Sequence, residues 1–177
     1  MKPGFALLCL SVSLLAAMQA RAISLPAACG DDKVRFNVTT QLNQPMPTAP
    51  EAGKAQIVFM EDENQMIGPF MHATVRFGMD GTWVGANNGS SYFVLTVDPG
   101  VHHLCAGWQS SIGRVRKNVH AASLKAEPGK VYYYAASVTV TGGSENSTAT
   151  FGLSPLDEDE GKFRVKSLKL ATWTTNK

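Results

Sequence analysis

The stretch Ser91-Tyr-Phe-Val-Leu-Thr-Val-Asp-Pro-Gly-Val-His-His-Leu-Cys-Ala-Gly-Trp108 decides the fold class. Two runs rich in β-branched and aromatic residues flank Asp98-Pro-Gly-Val101, the pattern of short strands bounded by turn residues. Pro99 presets φ for a turn and Gly100 accepts a positive φ, so the chain is expected to reverse here. With Pro99-Gly100 as a two-residue hairpin loop, Val97 would face His102, Leu95 would face Leu104 and Phe93 would face Ala106, giving one apolar face for a core. The same register places Val94 beside Cys105 on the opposite face. A bulge in the turn would shift the pairing by one residue and reverse that assignment.

The same punctuation extends outward in both directions. Glu127-Pro-Gly-Lys130 repeats the device, and Met79-Asp-Gly-Thr82 and Asn87-Asn-Gly-Ser90 are further tight turns. Between such turns lie ten candidate strands: Val34–Thr40, Lys54–Met60, His72–Gly78, Thr82–Ala86, Ser91–Val97, Val101–Trp108, Val119–Ala126, Lys130–Thr141, Thr148–Leu153 and Ser167–Thr172. Their number and brevity predict an all-β domain over residues 23–177, a single antiparallel β-sandwich. The segment Gln44–Gly53, with three prolines, reads as an extended crossing within that domain. Lys130–Thr141 is apolar on both parities, as expected of a central strand covered on both sides. One short helix is expected near the carboxyl end, over Ser154–Val165, with Ser154 as cap, Pro155 at the first helical position and acids in the first turn. Gly161 would keep it short, and Leu156 and Phe163 would bury one stripe.

The first 22 residues read as a signal peptide. Lys2 precedes the apolar run Phe5–Met18, and Ala20-Arg-Ala22 is a small-x-small cleavage site. At about 14 residues the run is short of the roughly 20 that span a bilayer, so cleavage after Ala22 is preferred to a transmembrane anchor. Lipid anchoring at Cys29 is less favoured, because Pro26 stands where a lipobox wants Leu or Val. The mature chain is thus expected to be secreted or periplasmic, with no transmembrane segment. It keeps two cysteines, Cys29 and Cys105, whose simplest state after export is one disulfide, the alternative being two buried thiols.

Removing Lys2 and Arg21 from the 16 basic residues leaves 14, against 14 acidic ones. A neutral chain of this kind has no basic footprint for nucleic acid. No cofactor or catalytic constellation stands out either. Adjacent His102 and His103 point to opposite faces of a strand and cannot jointly chelate a metal, while the acidic run Asp157–Glu160 lacks the spacing of a calcium loop. No nucleophile elbow or phosphate-binding glycine loop is present in the sequence. Arg114-Val-Arg-Lys117 is the densest basic cluster and reads as a solvated loop. As a candidate ligand or partner surface, Trp83, Asn87, Asn88 and Tyr92 lie close in sequence; such groups can recognise sugars, peptides or a partner strand. The plainer reading puts Trp83 and Tyr92 in core or edge packing.

In order along the chain, Pro50-Glu-Ala-Gly-Lys-Ala55, Asp80-Gly-Thr-Trp-Val-Gly85, Ser91-Tyr-Phe93, Val97-Asp-Pro-Gly-Val-His-His-Leu-Cys105 and Glu127-Pro-Gly-Lys-Val-Tyr-Tyr133 resemble the bacterial family called domain of unknown function 2846. The resemblance covers approximately residues 50 to 135 and implies an exported or lipid-anchored envelope protein with a transthyretin-like or immunoglobulin-like sandwich. It brings no catalytic residue and no cofactor. The expected role is a non-catalytic envelope or periplasmic module that binds an envelope protein or glycan. The alternatives are an enzyme or enzyme inhibitor with a loop-built site, and a structural subunit that donates or accepts an edge strand. Mass spectrometry of the exported chain should find Ile23 at its start and no thiol open to alkylation without reductant; two alkylated cysteines would contradict the bridge.

Overall fold

The computed structural model describes residues 27–42, 47–61, 73–109, 118–141 and 148–176. The leader expected over 1–22, His72 and the basic cluster at 114–117 lie outside the described residues. The strands are β1 (Arg35–Gln41), β2 (Ala55–Glu61), β3 (Thr74–Met79), β4 (Thr82–Asn88), β5 (Ser91–Val97), β6 (Gly100–Trp108), β7 (Val119–Ala126), β8 (Val131–Thr141), β9 (Thr148–Leu156) and β10 (Lys169–Asn176). Helix α1 (Glu158–Val165) precedes β10. A six-stranded sheet in the order β1-β10-β5-β2-β8-β9 packs on a four-stranded sheet in the order β4-β3-β6-β7. Over its described residues the chain is therefore an all-β, two-sheet sandwich with one short helix.

The larger sheet is mixed, which corrects the expectation of a purely antiparallel fold. β2 runs parallel to β8 from Gln56↔Val131 to Glu61↔Ala136, and β10 runs parallel to β5. The cause lies in the turns. Met79↔Thr82 closes the true hairpin β3–β4, where Asp80 (φ 50°) and Gly81 (φ 86°) both take the left-handed conformation that a tight hairpin loop needs. Pro99 and Pro128 hold φ negative, so Pro99-Gly100 and Pro128-Gly129 cannot form that loop. Both instead carry the chain from one sheet to the other, as does the turn between β4 and β5. β5 and β6 thus never pair: β5 lies beside β2, and β6 between β3 and β7. Val94 accordingly is not beside Cys105, whose ladder partners are Gly78 and Ala121.

Parity survives this change of connection. Phe93, Val97, Leu104 and Ala106 all enter the main core, facing one another across the sandwich instead of side by side. Phe59, Phe77 and Phe93 form its aromatic centre, with ring centroids 4.9 to 5.6 Å apart. β8 is covered on both sides: Tyr134, Ala136 and Val138 face the main core, while Tyr133 and Ala135 face a smaller core under α1. The helix starts later than expected. β9 continues through Ser154 and Pro155, and Asp157 caps α1 by accepting from the Glu160 amide at 2.9 Å. An edge strand tolerates Pro155, which can donate no ladder bond. Phe163 is exposed, so the expected Leu156–Phe163 stripe does not form; Val165 and Gly161 are the buried helix residues. A Cβ on Gly161 would overlap the Tyr133 ring.

A third cluster lies on the outer face of the four-stranded sheet, where residues 28–36 cross it. Cys29 is disulfide-bonded to Cys105, and Ala28, Phe36, Trp83 and Ala86 surround the bridge. A sulfur held this way cannot carry a thioether-linked lipid. The Trp83 indole N–H donates to the Asp31 carbonyl at 2.8 Å, and the buried Arg76 guanidinium donates to the carbonyls of Val34 (2.9 Å) and Asp32 (3.3 Å). That guanidinium lies 4.2 Å from the Trp83 ring centroid, an additional cation–π contact. The bridge spans 76 positions, for which loop-closure entropy assigns about 4 kcal/mol. Reduction, or Cys105→Ser, should lower the unfolding free energy measured by urea denaturation by a matching amount; an unchanged free energy would show that the bridge adds nothing.

Candidate functional site

The four residues singled out as a surface do not form one. Trp83 is buried in the amino-terminal cluster, while Tyr92 is buried on the far side of the molecule, under α1. Burial also pushes the Tyr92 hydroxyl above its usual titration range. Asn87 has no exposure and donates from Nδ2 to the Phe59 carbonyl at 3.1 Å. Asn88 donates from Nδ2 to Thr74 Oγ1 at 3.1 Å, and its backbone exchanges bonds with the Ser91 hydroxyl. These amides hold the β4–β5 crossing in place, and the aromatic rings are packing residues.

The histidines are separated as strand geometry requires. The His102 ring reaches Asp80 Oδ2 through Nδ1 at 2.7 Å and the Asp98 carbonyl through Nε2 at 2.8 Å. Asp80 Oδ1 also accepts the His103 amide at 2.8 Å, and Lys54 Nζ pairs with Asp98 Oδ1 at 2.6 Å. Burial favours neutral His102, but the Asp80 hydrogen bond, the Asp98 carbonyl and the two carboxylate charges outweigh it and raise the pKa. For Asp80, burial likewise favours the neutral acid, yet the bonds from His102 and His103 hold the carboxyl below its usual range. The His103 ring instead borders a shallow groove of about 390 Å³ lined by Ala27, Ala28, Ala121, Ala122 and Ser123, with Ser123 Oγ 3.5 Å from Nδ1. A serine nucleophile needs its histidine oriented by a third group. Asp80 is engaged by the His102 ring and the His103 main chain, so it does not serve the His103 ring. Among the described residues, no three of His, Cys, Asp and Glu assemble a metal site.

The most distinctive feature is a break inside the larger sheet. β10 pairs with β1 over seven residues and β5 with β2 over seven, yet β10 and β5 share only Lys169↔Ser91 and Leu170↔Tyr92. Beyond Leu170 the strands diverge around a cleft of about 360 Å³ lined by Phe93, Val94, Leu170, Ala171, Thr172 and Trp173. Trp173 forms its floor, standing edge-on to Phe93 with centroids 4.8 Å apart. Gly85 of the facing sheet makes room for that indole, since a Cβ there would lie 2.7 Å from it. The outer edges of the sheets are better protected. The Gln109 side chain acts like a strand residue, accepting the Phe36 amide at 2.7 Å and donating to its carbonyl at 3.0 Å. On the other side, β7 lies against β9. Sequence reading missed the cleft because it depends on which strands become neighbours; its one local signal is Ala171-Thr-Trp-Thr-Thr175, an aromatic residue among small polar ones.

No family model, curated protein or solved structure matches the chain. If Trp83 is a packing residue, Trp83→Phe should cost about 1–2 kcal/mol of stability by leaving the Asp31 carbonyl without its donor and weakening the Arg76 contact. Urea denaturation checks this; full stability would return Trp83 to the list of binding candidates.

Proposed function

We propose that the chain is an exported, non-catalytic module of the envelope or periplasm that binds a partner polypeptide by accepting an extended strand at the cleft between β5 and β10. The observation that carries this reading is the two-pair ladder between those strands, after which each presents a backbone edge to the same apolar cleft. An extended segment gains main-chain hydrogen bonds from such an edge, and its alternate side chains find the indole floor. The bridged cysteines favour an oxidising location, and no helix among the described residues is long and apolar enough to cross a membrane. The order of motifs that resembles the family of domain 2846 supports the same envelope setting and the finer transthyretin-like or immunoglobulin-like assignment. The engaged state of His102 and Asp80 supports the non-catalytic reading.

The test is site-specific photocrosslinking in cells that export the protein, with the reactive group at Val94, at Thr172 or, as a control, at the exposed helix position Phe163. Adducts of one defined mass from Val94 and Thr172, absent from Phe163, are expected. No adduct at either cleft position, or equal labelling at all three, would overturn strand acceptance.

A further inference from the structure

His102 ties a distant turn to the crossing that leads into its own strand. Its ring touches Asp80, in the β3–β4 turn, and the main chain of Asp98, in the crossing from β5 to β6. The Asp98 carboxylate in turn holds Lys54, which precedes β2. Asp80 N donates to the His103 carbonyl at 2.9 Å and Gly81 N to the Ala28 carbonyl at 3.3 Å, so the β3–β4 turn also touches the amino-terminal segment. The charged groups facing the ring are Asp80 and Asp98, with Lys54 behind Asp98 and His103 on the far side of Asp80. Across the ladder on β7 the partner of His102 is the uncharged Leu124.

Both ring nitrogens meet oxygen atoms that can only accept: a carbonyl and an ionised carboxylate. Only the imidazolium has an N–H for each. We propose that His102 is a proton-operated clamp that fastens the β3–β4 turn to the β5–β6 crossing when protonated and releases the crossing when it loses a proton. A neutral imidazole has one N–H, and the charged Asp80 carboxylate is the stronger acceptor. The proton therefore leaves Nε2, the bond to the Asp98 carbonyl is lost, and the Nδ1–H tautomer remains on Asp80. Because folding raises the affinity of His102 for its proton, the stabilisation is complete below the unfolded value near 6.5 and is lost as pH rises through the folded value. Asp80 sets the opposite limit: its contribution is lost as pH falls through its lowered folded value. The clamp is complete only between the lowered Asp80 value and the raised His102 value.

Imidazole nitrogen shifts measured across the titration, with amide hydrogen exchange at Gly100 and Gly81, test the clamp. Expected are a His102 midpoint above that of a free histidine, a neutral form protonated at Nδ1, and several-fold faster opening at Gly100 than at Gly81 once His102 deprotonates. Asp80→Asn keeps a residue type that tolerates the positive φ and removes the charge, so it should lower the His102 midpoint. His103→Gln should leave that midpoint in place, whereas His102→Gln should flatten the dependence of the urea midpoint on pH between 5 and 8. A His102 midpoint at or below the free value, a neutral form protonated at Nε2, or an unchanged pH dependence in His102→Gln would overturn the clamp.

Discussion

Everything distinctive about this sandwich depends on how residues 28–36 are held against the outer face of the four-stranded sheet. The disulfide fixes Cys29 to the middle of β6, and Arg76 fixes the carbonyls of Asp32 and Val34 a few residues later. A buried guanidinium is costly to desolvate, and main-chain carbonyls with an indole face offset that cost. Once these contacts form, β1 must begin beside β3 and β4. Gln109, at the end of β6, then holds Phe36 in that position from the other edge.

The rest of the larger sheet adjusts to that placement. β10 pairs with β1 over seven of its eight residues and follows it toward β4, while β5 stays with β2. Two complete ladders compete for a third between them, and the third stops after two pairs. Trp173 fills the opening from beneath and touches Phe93 and Phe36, so the main core stays closed although the sheet above it is divided. The structural device at the amino end and the proposed binding edge are in this sense one feature.

All ten strands were legible, because each is a short β-branched or aromatic run bounded by turn residues. β5 and β7 even match in both limits. The facing of side chains was legible as well: Phe93, Val97, Leu104 and Ala106 belong to the core whether their strands form a hairpin or an arch. Parity cannot distinguish those two connections. Turn stereochemistry could have, since a proline-locked φ at position 99 or 128 excludes the loop that Asp80 and Gly81 adopt. The helix start was misplaced because Ser154-Pro-Leu suits a cap and an edge strand equally, and pairing of Tyr134 with Pro155 decided it. At the candidate site, closeness in sequence misled: Trp83 and Tyr92 lie on opposite faces of the sandwich, and only their burial partners reveal it. The bond of His102 to Asp80 was invisible for the same reason, since these residues lie 22 positions apart and meet only in the folded chain, whereas Asp98 is its neighbour four positions away.

Residue-level amide hydrogen exchange along β5 and β10 tests the divided sheet most directly. In an antiparallel strand alternate amides face alternate neighbours. The predicted result is alternating protection over residues 93–97 and 171–176, slow toward β2 and β1 and fast toward the cleft. Uniformly slow exchange through both segments would mean that β5 and β10 are joined along their length, which contradicts the split and the strand-accepting edge built on it.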